Sequence, residues 1–281
     1  MLILCICTYC VLRKMMKICE EYANEHSIMF NGNKSKYLIF GNYKYDPIIQ
    51  VNNETVYRCE SALYLGHMLH TKNTSKELLE HAIKAFKKNY YGFISKFESC
   101  YNSTKNKLFH QYCSSMYGSQ LWDKTSSAIE TMYTQWRKAH RQVLSLPYKT
   151  HCDLLPLIAD NMPLEYILDC RYIAFYKSII SSNNKIISFT ANYKTFECTS
   201  TMGKNITHLM HKYNLVIDEM KSLSKHSFKE LCYNKWMSGI NIEYPRYAQI
   251  IKDMIGMKEE SGTRLFSNDE CQCIIDFCSV D

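Results

Sequence analysis

Lysines and arginines cluster in one stretch of this chain at spacings suited to phosphate chemistry. Lys84, Lys87, Lys88, Lys96, Lys105 and Lys107 come first, and Arg137, Lys138 and Arg141 follow. Arg137 and Arg141, four apart, share a helical face. Interleaved with them stand Tyr90, Tyr91, Phe93, Tyr101, Tyr117, Trp122 and Trp136. Cationic side chains neutralise phosphates and release counterions, and aromatic faces stack on bases. The same residues would also make a solvated helix face, and Trp136 reads as core rather than as a base platform. Other chemistry is poorly provided for. Cys5-x-Cys7-x-x-Cys10 and Cys271-x-Cys273 with Cys278 lack a fourth zinc ligand, and His208 and His211 stand alone at i, i+3. No metal site is expected. No GxGxxG or GxxxxGK[ST] phosphate loop occurs, and no Ser-His-Asp arrangement can be read from residue order.

The distribution of charge narrows the partner. The chain has 281 residues and a formal net charge of +7. Residues 81–150 hold 11 basic and 3 acidic side chains, a net of +8, while the flanks are near neutral. Gly numbers only 9 and Pro only 5, too few for a turn-dense β-sandwich or barrel. The apolar start, Met1 to Leu12, lacks a basic n-region and a small-residue cleavage site, and it is too short to span a bilayer. An intracellular chain, cytoplasmic or nuclear and not secreted, is expected, with no membrane partner. Its 14 cysteines should then stay reduced thiols.

These side chains need elements to hold them. Leu12, Met15, Met16, Cys19, Tyr22 and Ala23 recur at helical spacing. Ser27–Phe30 and Lys36–Phe40 flank Asn31-Gly32-Asn33 and read as a hairpin. Ile48–Val51 and Thr55–Cys59 flank Asn52-Asn53 and read as a second. Ala62–Leu69 reads as one strand interrupted by Gly66. Helices follow: one with Ile83, Phe86, Tyr90, Phe93, Ile94 and Phe97, and one running from Leu108 to Tyr117. A third carries Ile129, Met132, Tyr133, Trp136, Val143 and Leu144, and a fourth, after Pro163, carries Leu164, Leu168, Tyr172 and Tyr176. Residues 181–205 are rich in Ser, Asn and Thr and read as a linker. Segments 206–236 and 245–256 read as weaker helices. The fold class is α+β grading into all-α.

In this order the residues resemble a family. Ile18-Cys19-Glu20-Glu21-Tyr22-Ala23, then Phe30-Asn31 and Lys34-Ser35, resemble the region after the catalytic centre of non-LTR (LINE-type) retrotransposon reverse transcriptases, the Jockey-like group above all. There a strand carries Phe-Asn-Pro-x-Lys, the fourth polymerase motif; here Gly32 replaces the Pro. Tyr64-Leu65-Gly66 resembles the primer-grip hairpin. The helices that follow resemble the thumb, and Trp136 to His151 is similar to a segment beyond it. The resemblance implies a partial palm over 1–72, a basic helical thumb with downstream helices over 73–180, the linker, and a helical region of unknown role over 206–281.

The departures set the functional expectation. The family's catalysis uses carboxylates, two from a Tyr-Ala-Asp-Asp turn, that hold two Mg²⁺ ions. This sequence has no such turn and no acidic residue before Glu20. By family spacing the turn would fall at about residue 1 or just before it. The resemblance therefore implies a truncated, non-catalytic reverse-transcriptase fragment. Such a fragment needs no cofactor, since Mg²⁺ serves only the intact polymerase, and it takes no small-molecule substrate. It would bind RNA–DNA or DNA duplex weakly and without sequence preference. Tyr64, Leu65 and Gly66 would lie along the primer strand. The lysines, with Arg137, Lys138 and Arg141, would meet phosphates. Lys34 maps onto the fourth-motif lysine, which is idle without aspartates and metal. The competing reading is a helical interaction module, or an open frame with no nucleic-acid role.

Overall fold

Apolar side chains at every third or fourth position wind Tyr9–Glu25 into α1, with Leu12, Met15, Met16 and Cys19 half-buried and Ala23 buried. The structure, a computed structural model, describes residues 9–41, 47–52, 54–64, 66–72, 75–159, 161–243 and 249. Expectations that fall elsewhere lie outside the described residues: Leu65, the apolar start with Cys5 and Cys7, the helix at 245–256, and Cys271, Cys273 and Cys278. The architecture is α+β and divides into two compact units, residues 1–74 and 75–281.

In the first unit, β1 (Lys36–Tyr37), β2 (Ile49–Val51) and β3 (Glu54–Arg58) form one sheet in the order β1-β3-β2. The expected second hairpin is present as β2 and β3. It pairs buried Ile49 with buried Val56, and Asn52 turns the chain at φ +49°. Asn is one of the few residues that adopts this conformation readily.

The expected first hairpin does not form. Ser27 leaves α1 at φ +55°, and no strand forms over 27–30. The Asn31 side chain accepts the Lys34 N–H at 3.0 Å, tightening Gly32–Lys34 into a 3₁₀ turn. β1 then pairs in parallel with β3 instead. Gly32 donates its N–H to Glu54 Oε2 at 2.7 Å, and a Cβ there would lie 2.4 Å from Glu54 Cβ. A proline could neither donate nor fit.

The run 62–69 is likewise not one strand but two. β4 (Ser61–Tyr64) and β5 (His67–His70) pair antiparallel from Ser61↔His70 to Tyr64↔His67. Gly66 takes φ +83° in the turn between them, a conformation costly for a residue with a Cβ.

The second unit is helical among its described residues. α2 (Ser75–Phe97), α3 (Asn102–Tyr112) and α4 (Ala128–Val143) surround Phe109, which is fully buried. Phe86, Tyr90 and Phe93 on α2 meet its ring edge-on with centroids 6.2–6.3 Å away, a favourable aromatic geometry. α3 stops short of the expected Tyr117. Cys113 and Ser114 both donate their N–H to the Phe109 carbonyl, and Met116 turns the chain at φ +42°.

After the short α5 (Leu155–Ile158), α6 (Leu164–Ile180) starts behind Pro163 and buries Leu164, Leu168, Tyr172 and Tyr176. Residues 181–205 are not a linker. They form α7 (Lys185–Phe196) and the start of α8 (Thr201–Tyr213). Asn184 caps α7, and Ser200 caps α8 by accepting the Gly203 N–H at 2.9 Å. α9 (Ile217–Ser222) and α10 (Lys225–Glu243) complete the unit. α6, α8 and α10 share a core of Tyr172, Ile173, Tyr176, Ile206, Leu209, Tyr213, Phe228 and Cys232.

Candidate nucleic-acid interface

α2 buries Leu79, Phe86, Tyr90 and Phe93 on one side. Helical geometry then forces Lys84, Lys88 and Tyr91 onto the opposite side, with Lys87 beside them. Lys84, Lys88 and Lys96 are exposed, Lys87 is half-buried, and Tyr91 is 64% exposed. None of these lysines is ion-paired to a described residue. The result is a cationic stripe with one accessible aromatic face. On α3, Lys107 is exposed and Lys105 half-buried.

The remaining expected residues scatter. Lys138 is exposed, and Arg137 is half-buried, donating to Thr134 Oγ1 at 3.3 Å. Arg137 lies at a cleft of about 250 Å³ that Trp136, Glu165, Tyr166 and Trp236 also line. Arg141 turns inward. It is buried, donating from Nε to the Thr150 carbonyl at 2.9 Å and from its terminal nitrogen to Cys152 Sγ. Its four-residue spacing from Arg137 does not make a shared cationic face, because the turn at 147–150 folds over it. Trp136 is core, 1% exposed, donating Nε1–H to Ser114 Oγ at 3.2 Å. In the other unit, Tyr64 is half-buried on β4, Gly66 sits at the exposed hairpin turn, and Lys34 is exposed on its 3₁₀ turn.

The residue pattern missed a buried charge cluster in the helical unit. Lys124 Nζ lies 2.8 Å from Asp169 Oδ1, both side chains 2% exposed. Lys212 Nζ lies 2.6 Å from Asp169 Oδ2 and also pairs with Glu165. Tyr213 donates its hydroxyl to Asp169 Oδ2 at 2.7 Å, and Lys212 stands 4.2 Å over the Tyr166 ring. The Lys124 backbone N–H meets Asn205 Oδ1, whose amide reaches the Trp122 carbonyl. Burial alone would raise the Asp169 carboxyl, but the two ammonium groups hold it below its usual range. Lys212, against its own desolvation, is raised by Asp169 and Glu165. One signal was present in the sequence: Asp169 falls on the apolar stripe of α6, seven before Tyr176.

Two histidines sit in the aromatic core. His140 Nε2 is 2.7 Å from Asn106 Oδ1, its ring is 4.6 Å from Trp136, and its Nδ1 has no partner. His110 Nε2 is likewise buried without one. Burial depresses His110 to about 4 and His140 well below its ordinary value, the neighbouring His110 adding to the effect. A depressed pKa means that the unfolded chain takes up protons first as the pH falls. Stability is therefore full above about 6.5 and drains between about 6.5 and 4, by about 3 kcal/mol for His110. A melting midpoint lower by roughly 10 °C at pH 4.5 than at pH 7.5 is expected. His110→Phe should flatten that pH dependence. An unchanged slope would show that His110 is not its source.

Among the described residues no group of three or more His, Cys, Asp or Glu could hold a metal ion; buried Asp169 and partly exposed Glu165 are engaged by ammonium groups. No described helix is long and apolar enough to cross a membrane. No family model, curated protein or solved structure matches the chain.

Proposed function

We propose that the helical unit is a sequence-independent nucleic-acid-binding module, the thumb-like part of a non-LTR retrotransposon reverse transcriptase. One observation carries this reading: the stripe of Lys84, Lys87 and Lys88 beside exposed Tyr91, with no ion-paired acidic partner among the described residues. A helix presenting ammonium groups one turn apart can follow a phosphate backbone, and such contacts carry no sequence information. Lys96, Lys107 and Lys138 extend the positive field. In the same reading the β4–β5 hairpin, with Tyr64 and Gly66, is the primer-grip counterpart, and residues 1–72 are the palm portion. Lys34, exposed on its 3₁₀ turn, is the counterpart of the fourth-motif lysine.

The test is a filter-binding titration of RNA–DNA and DNA duplexes at about 50 and about 200 mM salt. Three or four phosphate contacts predict a roughly 10²-fold loss of affinity over that range, equal for all sequences. Primer extension by these residues with Mg²⁺ should yield no product. Absence of binding at the lower salt would refute the proposal. The interaction-module reading would then be the stronger one. It is favoured by α7, which exposes Ile186, Phe189, Tyr193 and Phe196 at helical spacing.

A further inference from the structure

Cys170 on α6 and Cys232 on α10 hold their sulfurs 3.6 Å apart, although 62 residues separate them in the chain. Cys232 is fully buried in the core that α6, α8 and α10 share, and Cys170 lies at the edge of that core, partly exposed. From the contact distance of 3.6 Å, closing to a bond of about 2.05 Å requires the sulfurs to approach by about 1.5 Å. We propose that Cys170 and Cys232 form a reversible disulfide site that reacts with small-molecule disulfides of the glutathione type.

The two sulfurs have different roles. The Cys232 thiol beside it lowers the pKa of Cys170, with Lys229 adding to the effect against burial and the Asp169 charge. Cys232 is pushed up, by Cys170 first and by burial second. The thiolate is the nucleophile, and the accessible, more acidic sulfur attacks first. The Cys170 thiolate attacks one sulfur of the small disulfide, breaking its S–S bond, releasing one small thiolate and leaving a mixed disulfide on Cys170. Cys232 then loses its proton to that thiolate, and its sulfur attacks Cys170, expelling the second small thiolate. Two protein thiols are oxidised and one small disulfide is reduced to two thiols.

The reaction also touches the charge cluster. In the reduced protein the Cys232 thiol donates to the Tyr213 hydroxyl at 3.2 Å, and that hydroxyl donates to Asp169. Oxidation removes the thiol donor and ties α6 to α10 beside the buried carboxylate. The covalent tie limits the unfolded chain and raises the melting midpoint by several degrees.

The experiment uses the full chain treated with a slight excess of oxidised glutathione. It is alkylated while folded, then unfolded and mapped by peptide mass spectrometry without reduction. A peptide pair linked through Cys170 and Cys232, which disappears on adding dithiothreitol, is the expected result. In Cys232→Ala the reaction should stop at a glutathione adduct on Cys170. Cys170→Ala should leave Cys232 unmodified. Recovery of both cysteines as unlinked thiols from the parent protein would overturn the proposal, and so would a folded Cys232→Ala variant with no adduct at Cys170. The parent mapping decides even where a variant fails to fold.

Discussion

Asp169→Ala should cost the helical unit about 3–5 kcal/mol and lower its melting midpoint by roughly 10–20 °C. The substitution leaves Lys124, 2% exposed, with no carboxylate, removes one of the two acceptors of Lys212, and takes the partner from the Tyr213 hydroxyl. An ammonium group sealed from water without a counter-charge is strongly disfavoured, so Lys124 would have to lose its proton or draw in solvent. Either response loosens the junction where the loop carrying Lys124 meets α6 and α8. Asp169→Asn keeps the volume and an acceptor oxygen and should be the milder change, while still leaving two cations facing a neutral amide. Thermal melts of the two variants beside the parent decide this. A drop of under about 1 kcal/mol for Asp169→Ala would mean that the cluster contributes little.

Reversing Lys84, Lys87 and Lys88 to Glu should lower duplex affinity by at least roughly 10²-fold at low salt and reduce the salt slope by about three. The fold should tolerate the change, because Lys84 and Lys88 are exposed and none of the three is ion-paired to a described residue. The loss should be the same for every duplex sequence, because phosphate contacts read no bases. Arg141→Gln offers the contrast. Its guanidinium is spent on the Thr150 carbonyl and Cys152, so the variant should lose stability rather than salt dependence. Retention of full affinity by the triple lysine variant would reduce the α2 stripe to a solvated surface.

Those two sites differ in how far residue order discloses them. α2, α4 and α6 announce themselves because bulky apolar side chains recur every three or four positions and all turn inward, so their outer faces can be deduced as well. α7 defeats the same logic. It buries only Ala191 and Thr195, while Ile186, Phe189 and Tyr193 face out. A segment that packs through small side chains carries no apolar stripe pointing at its core, and its polar composition imitates a linker. Only the capping residue Asn184 marks its start, as Ser200 marks the start of α8. The run at 62–69 reads as one strand interrupted at Gly66; the interruption is a reversal of direction, with Gly66 at φ +83°. The charge cluster was least legible. Lys124, Asp169 and Lys212 lie 45 and 43 residues apart, and nothing local to any of them names its partners. The excess of positive charge in 81–150 thus mixes two populations, one aimed at solvent and one, Lys124 and Arg141, consumed inside the fold.

The placement of the tryptophans gives the molecule a built-in optical reporter. All three, Trp122, Trp136 and Trp236, belong to the helical unit and are at most 7% exposed, and residues 1–74 contain none. Indole fluorescence therefore follows the opening of the helical unit and is blind to the strand-bearing one. Far-ultraviolet dichroism, in contrast, sums over both. Recorded on one sample, the two signals separate whenever the two units melt at different temperatures, without cutting the chain. The His140 ring, 4.6 Å from Trp136, adds a second readout, because an imidazolium quenches a neighbouring indole where a neutral imidazole does not.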